Sequence, residues 1–332
     1  MMSPFFSIVI PLYNKADTIG RALRSISSQT FDSYEVIVVD DGSRDNGPEI
    51  VSGFKAIRKI RLVRQENSGV STTRNRGVRE ACGSYIAFLD ADDYWLPSHL
   101  EDLKDVLNAH PEAKVISTNL AFDYGRDAFC FGNAKKIKRF NIFDRIARHE
   151  PFHTSSYAVE RNAFLMTGGY DARFSYYEDT ELAFRLAERY GDFWAHCRVS
   201  VGYTHDADTS LTREGRKRRL DEYAHLHFLE MRMRMPGVTS QIRRCARRIA
   251  RKMLFDNMRH DRMSDNLKLK NEFPEMVKSV GGGALVCVSN PTFESEIVKC
   301  LFFLIIILER LVWHRKCERI NLMPFCFMKV GV

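Results

Sequence analysis

Short, almost wholly apolar runs alternate with stretches of helical periodicity through the first 120 residues. Ser7–Leu12 (SIVIPL) is β-branched and apolar and stops at a proline and Asn14, as a buried strand does. Asp17 or Thr18 can cap the segment that follows, where Ile19, Leu23 and Ile26 fall on one helical face. Tyr34–Val39 (YEVIVV) reads as a second buried strand, closed by Asp40-Asp41-Gly42-Ser43. The pattern continues with a helix over Asn46–Phe54, a strand over Ile60–Val63, a helix over Ser71–Cys82 and a strand over Tyr85–Leu89. Beyond Pro97 it predicts a helix over Leu100–Ala109 and a strand over Lys114–Thr118. Residues 119–175 are mixed, with a turn at Gly168-Gly169, and Asp179–Tyr190 is helical. From Thr212 to about Met263 the pattern is mostly helical. Residues 281–296 read as a loop, and Ile297–Trp313 as a strongly hydrophobic helix.

Strands that are apolar throughout and alternate with helices predict an α/β fold, with a mainly parallel central sheet covered by helices on both faces. Ligands of such sheets bind outside the carboxyl ends of the strands. Three polar clusters fall at those ends: Tyr13-Asn14, Asp40-Asp41 and Asp90–Asp93. The Asp90-Ala91-Asp92 triplet is a metal candidate, because one or two carboxylates and phosphate oxygens make a shell for a hard divalent cation. A second such triplet, Asp206-Ala207-Asp208, lacks that context. Asp93 fits either the metal site or a helix cap before Pro97.

Composition narrows the class. A chain of 332 residues with 45% hydrophobic and 28% charged residues is neither disordered, nor collagen-like, nor a polytopic membrane protein. Its eight cysteines include no Cys-x-x-Cys pair and read as reduced side chains of a cytosolic protein. The apolar N-terminus lacks a basic leader and a small-residue cleavage site, so no signal peptide is expected.

Charge divides the chain. Residues 213–270 hold 17 Lys/Arg against 7 Asp/Glu, a surplus of ten, which leaves −2 for the rest of a chain whose net charge is +8. Arg243-Arg244, Arg247-Arg248 and Arg251-Lys252 recur at helical spacing opposite Ile242, Ala246, Ile249, Ala250, Met253 and Leu254. Such a helix suits an anionic membrane surface or, alternatively, packs on the rest of the chain with its basic face in solvent. Ile297–Leu308 is too short to span a bilayer; shallow membrane insertion or burial in a homo-oligomer interface fits it better. The chain therefore divides into a catalytic domain, 1–212, and a basic, hydrophobic helical region, 213–332.

The ordered motifs resemble those of family 2 glycosyltransferases. They are Ser7-Ile8-Val9-Ile10-Pro11-Leu12-Tyr13-Asn14, Ser28-Gln29-Thr30, and Glu35 to Ser43 through Asp40-Asp41. Next come Asn67-Ser68-Gly69, Arg74-Asn75-Arg76-Gly77, Gly83-Ser84-Tyr85-Ile86, Asp90-Ala91-Asp92-Asp93, and Glu178-Asp179 at a helix start. The resemblance implies a GT-A fold and inverting transfer from a nucleotide-sugar donor, typically a UDP-sugar, with Mn2+ or Mg2+ as cofactor. Pro11, Tyr13 and Lys15 would line the nucleotide pocket, and Asp41 would accept a hydrogen bond from the base. Asp40 would cap the turn beside it. Gly69 and Arg74 would lie near the nucleotide or diphosphate and Asp90 near the ribose or sugar. Asp92 would hold the metal with His205, and Asp179 would be the general base. On spacing alone, Asp179 equally fits a helix-capping carboxylate. Trp95 and Tyr176-Tyr177 fit either a sugar or acceptor platform or core packing.

The acceptor implied is a saccharide or lipid-linked saccharide of a bacterial surface polysaccharide, with the enzyme cytoplasmic and peripheral at the inner membrane. A transferase loading a polyprenyl phosphate remains open, as does a basic nucleic-acid-binding protein. Against the latter, the arginine repeats supply phosphate contacts but lack interleaved aromatics, so no nucleic-acid partner is expected.

Overall fold

The computed structural model describes residues 3–123, 136–148, 152–174, 177–204, 224–259 and 263–280. Tyr176, His205, the triplet at 206–208 and residues 281–313, each given a reading above, lie outside the described residues.

The expected alternation is present. In order it runs β1 (Phe6–Leu12), α1 (Ala16–Ser27), β2 (Tyr34–Asp40), α2 (Gly47–Gly53), β3 (Ile60–Arg64), α3 (Val70–Glu80) and β4 (Tyr85–Phe88). Then follow β5 (Tyr94–Trp95), α4 (His99–Ala109), β6 (Val115–Asp123), β7 (Ile137–Phe140), α5 (Ile142–Ala147), a 3-10 turn at Thr154–Ser156, β8 (Tyr157–Glu160) and α6 (Arg161–Thr167). The remaining elements are α7 (Glu178–Tyr190), β9 (Phe193–Thr204), α8 (Ala224–Arg234), α9 (Ser240–Arg259), α10 (Met263–Glu272) and α11 (Pro274–Lys278).

One sheet joins the strands in the order β3-β2-β1-β4-β8-β6-β9-β5, with β7 also on β9. β1 is parallel to β2 and β4, β2 to β3, and β6 to β9. Because β8 is antiparallel to both β4 and β6, the six strands β1, β2, β3, β4, β6 and β9 share one direction. Only β5, β7 and β8 oppose it. The carboxyl ends of six strands and the amino end of β8 therefore meet along one edge.

Side chains alternate across β1. Ile8, Ile10 and Leu12 face α1 and α4 through Ile19, Leu23, Leu100 and Leu103, while Val9 faces the opposite core with Val78, Phe164 and Phe184. α3 lies so close to β1 that a Cβ on Gly77 would collide with Val9. Two strands depart from the sequence pattern. β6 runs on to Asp123, past polar Ser117-Thr118-Asn119 and a register irregularity between Ser117 and Leu120. The 12-residue β9, which no apolar run announces, is only patchily buried.

The C-terminal helices belong to the same core. Ile242, Cys245, Ala246, Ile249, Ala250 and Leu254 of α9 are buried in one cluster with Phe143, Phe184 and Phe228. Of the two readings of this helix, the packed one accounts for its apolar side. Arg243, Arg244, Arg247, Arg248 and Lys252 are exposed. No helix among the described residues is long and apolar enough to cross a membrane.

Candidate active site

The edge where six strands end carries the described residues singled out above for chemistry, apart from Trp95. After β1, Asn14 takes a left-handed conformation (φ 50°), which asparagine tolerates better than most residues. Its N–H donates to Ser43 Oγ at 3.1 Å and its Oδ1 accepts the Arg44 N–H at 2.8 Å. These bonds pin the turn after β1 to the turn after β2. Pro11 is half-buried at the end of β1, and Tyr13 is 45% exposed beyond it.

The pair after β2 divides its work. Asp40 Oδ1 accepts the Ser43 N–H at 3.0 Å and closes the turn. Asp41, 4% exposed, reaches across to the loop after β3. Its Oδ1 accepts from Ser68 N at 2.9 Å and Gln65 Nε2 at 2.8 Å, and its Oδ2 from Gly69 N at 3.0 Å. Gly69, at φ +86°, is the residue that lets this loop turn into α3. Among the described residues one donor reaches Oδ2, which leaves that oxygen a lone pair for a further N–H.

Arg74, on α3, is the hub of the second cluster. Its guanidinium donates to Asp90 Oδ1 at 2.7 Å and to Glu178 Oε1 at 2.8 Å, and lies over the Tyr170 ring. Arg74 is 4% exposed. Burial opposes its charge, but Asp90, Tyr170 and Glu178 outweigh that cost and keep it protonated. Burial pushes the Asp90 carboxyl up, yet the guanidinium, with His153 and Lys15, overcomes it and holds Asp90 below the usual range. The end of β4 is thereby tied to the start of α7.

Asp92 is held from α1. Lys15 Nζ, at the N-cap of that helix, lies 2.8 Å from Asp92 Oδ2, and Arg21 donates to the Asp92 carbonyl at 2.6 Å and to Thr204 Oγ1 at 2.8 Å. Asp93 is wholly buried and turns inward, accepting from the Ser155 hydroxyl at 2.5 Å and the Thr204 N–H at 3.2 Å. Burial, with Asp90 and Asp92 beside it, pushes its carboxyl well above the usual range. Of its two sequence readings the helix cap is not met, since Ser98 precedes that helix; Asp93 joins β4, β8 and β9, and its carboxylate also stands in a group that could hold a metal ion. A hard divalent cation fits this edge by donor chemistry. Ligand atoms of Asp90, Asp93 and His153 lie within 4.8 Å of one another, and the Asp92 carboxylate beside them already carries a cationic partner.

Asp179 lies in the first turn of α7, half-buried, with Oδ1 accepting the Thr180 N–H at 2.6 Å and Oδ2 the Thr154 hydroxyl at 3.5 Å. Burial, then the Glu178 charge, raise its carboxyl to about 6. The residue before the helix, Tyr177, has φ 55°, which is uncommon for a tyrosine, and is 48% exposed. Trp95, in contrast, is 2% exposed, stacks on His99 and donates to the Ser155 carbonyl at 2.8 Å, so it is a core residue.

Three residues at the site went unmarked in the sequence. His153 Nδ1 is 3.5 Å from Asp93 Oδ2 and its Nε2 is 3.9 Å from Asp90 Oδ2. Ser155 links Asp90 and Asp93, and Arg21 braces Asp92. The signal lay in His153-Thr154-Ser155-Ser156, a polar run just before an apolar strand. Its place at the active edge follows only once β8 is known to be antiparallel.

Residues 7–168 match the family model described as glycosyl transferase family 2. The chain carries a family 2 glycosyltransferase domain. YibD, an uncharacterized glycosyltransferase of Escherichia coli K12, is 42% identical over 98 residues, which are 29% of this chain and 28% of that one. An uncharacterized glycosyltransferase of Rickettsia typhi is 27% identical over 235 residues, 68% of this chain and 70% of that one. The chain spans about a quarter to a third of the length of YibD and of EpsH from Bacillus subtilis, 28% and 36% respectively. Among solved structures, TarS 1–349 of S. aureus in complex with UDP superposes with a TM-score of 0.63 at 16% identity, covering 86% of this chain and 83% of that one. Its complex with UDP-GlcNAc gives 0.61 at 18% identity, covering 90% and 84%. The fold is accordingly the GT-A type, a large central sheet flanked by helices. The family 2 match includes the described site residues from Pro11 to Ser155, whereas Tyr170, Glu178, Asp179 and Thr204 lie beyond residue 168.

Proposed function

We propose that this protein is an inverting glycosyltransferase that moves a sugar from a UDP-sugar to a hydroxyl of a saccharide or lipid-linked saccharide in surface polysaccharide assembly. The observation that carries this reading is the Asp90–Arg74–Glu178 chain, which couples the Asp-x-Asp strand end to the helix start bearing Asp179. A transferase needs those two elements on one sugar, one at the diphosphate side and one at the acceptor side. The S. aureus structures, solved with UDP and with UDP-GlcNAc, support a uridine donor.

In this reading Pro11, Tyr13 and the Asp41–Gly69 loop bind the nucleotide, with the free lone pair of Asp41 Oδ2 meeting a ring N–H. Arg74 fixes Asp90 against the ribose or sugar. Asp92, with His205 as a further donor, would hold Mn2+ or Mg2+, which when bound neutralises charge on the departing diphosphate. Asp179 accepts the proton of the attacking hydroxyl. Burial poises that carboxyl at about 6, so it is mostly ionised at neutral pH yet more basic than an exposed aspartate. Direct displacement of this kind inverts the anomeric centre.

The division of labour proposed is chemistry in residues 1–212 and placement in 213–332, at the cytoplasmic face of the inner membrane. Because α9 spends its apolar side on the chain's own core, its membrane contact runs through the exposed arginines and is electrostatic. Any contribution of 297–313, to a membrane or to a homo-oligomer, comes in addition. Hydrolysis and thermal stabilisation by UDP-, GDP- and dTDP-sugars, each with and without Mn2+, test the central reading. Selective response to a UDP-sugar supports it, and silence toward all three classes overturns it. Binding to anionic vesicles that vanishes at high salt supports the placement. An Asp179→Asn variant that keeps full activity transfers the case to the polyprenyl-phosphate acceptor, which has less need for a base.

A further inference from the structure

The acidic strand end is balanced by the protein's own cations. Arg74 neutralises Asp90 at 2.7 Å, and Lys15 Nζ lies 2.8 Å from Asp92 Oδ2. An ammonium at that distance occupies a direction from which a metal would approach this oxygen, and it cancels the charge that would attract one. The two cations differ in kind. Arg74 is buried, planar and tied to two carboxylates, so it stays. Lys15 is a point charge on a flexible stem, 20% exposed at the mouth of the site.

The backbone under Lys15 connects it to the nucleotide side. Asn14, at φ 50°, is bonded to Ser43 and Arg44 of the β2 turn, and the Ala16 N–H donates to Asp45 Oδ2 at 2.8 Å. The residue facing Asp92 is thus mounted on the turn that follows the Asp40-Asp41 pair. A diphosphate entering there offers the ammonium a stronger anion than a single carboxylate.

We propose that Lys15 is a positioning residue that acts as an internal counter-ion, guarding Asp92 from divalent cations until the donor diphosphate draws the ammonium away. The metal then loads together with the nucleotide and not before it. This rests on the reading in which Asp92 meets the metal.

The test is Mn2+ binding to the full-length protein, read from loss of the free-ion EPR signal, with and without UDP. Thermal stabilisation by UDP is measured in the same samples. The wild type should bind Mn2+ weakly alone and about tenfold or more tightly with UDP. Lys15→Met should bind Mn2+ alone about tenfold more tightly than the wild type and lose most of the gain from UDP. Lys15→Arg, which can remake the ion pair, should restore weak binding, and Asp92→Asn should abolish the difference. Equal Mn2+ affinity of wild type and Lys15→Met in protein that UDP still stabilises overturns the role of Lys15 alone. If UDP neither stabilises the protein nor alters Mn2+ binding, the donor reading falls and takes this inference with it.

Discussion

The two acidic clusters at the active edge look alike in sequence and differ in physics. Asp40-Asp41 and Asp90–Asp93 each follow a short apolar strand, and β2 and β4 both flank β1 in parallel. Asp40 and Asp41 are held by neutral donors: the N–H groups of Ser43, Ser68 and Gly69 and the Gln65 amide. Asp90 and Asp92 are held by cations, Arg74 and Lys15. Neutral donors build a loop of fixed shape, which suits recognition of a flat, uncharged base. Cations hold charge in reserve, which suits a site where charge arrives as diphosphate and metal. Neighbouring carboxylates on one sheet edge thus acquire different work from what surrounds them.

The sharpest way to test that contrast is to remove the central cation. Arg74→Met leaves Asp90 and Glu178 in a largely buried site without their shared counter-charge, and should cost about 3–5 kcal/mol of stability. Chemical denaturation measures it, and a cost under about 1 kcal/mol would show the ion cluster to be solvated in practice. Asp179→Asn removes the proposed base while keeping the side-chain shape. It should lower kcat about a thousandfold with little change in UDP affinity. If UDP affinity falls equally, Asp179 belongs to the donor site instead.

On the neutral side, Asp41→Asn keeps one acceptor but turns an amide donor toward donors from Ser68 or Gly69. The mismatch should cost about 1–3 kcal/mol and weaken nucleotide binding, as calorimetry would show. A loss matching that of Arg74→Met would erase the distinction between the clusters.

Sequence made the first half of the molecule legible because β1, β2 and β4 are buried on both faces, which leaves near-continuous apolar runs. Parallel direction then fixed which end of each run faces the ligand, so Asp41, Asp90 and Asp92 could be placed at one edge. The same logic misses β8, whose amino end lies at that edge. His153 and Ser155 precede their strand rather than follow it, and no rule about carboxyl ends finds them. Arg21 was hidden differently: it is one polar position on a helix, and its partners at Asp92 and Thr204 are 71 and 183 residues away. β9 stayed unread because polar residues such as His196, Arg198 and Ser200 interrupt its apolar positions.

The smallest predicted effect concerns pH. Asp179 should be the base, so activity requires its ionised form and should fall as pH drops through about 6. The same shift acts on stability in the opposite sense. A carboxyl that holds its proton to about 6 when folded, against about 4 when unfolded, binds more protons in the native state between those values. Its contribution therefore favours the fold most at low pH and fades as pH rises toward 6. Burial is the larger cause of the shift and Glu178 the second, so the two can be separated. Glu178→Gln removes the neighbouring charge, keeps an oxygen for Arg74 and leaves the burial. The acid limb of kcat/KM should move to lower pH while staying above that of an exposed aspartate. A limb that does not move assigns the shift to burial alone. A limb that moves up means that Arg74, released from Glu178, has turned wholly to Asp90, and the two ends of the ion chain compete for one guanidinium.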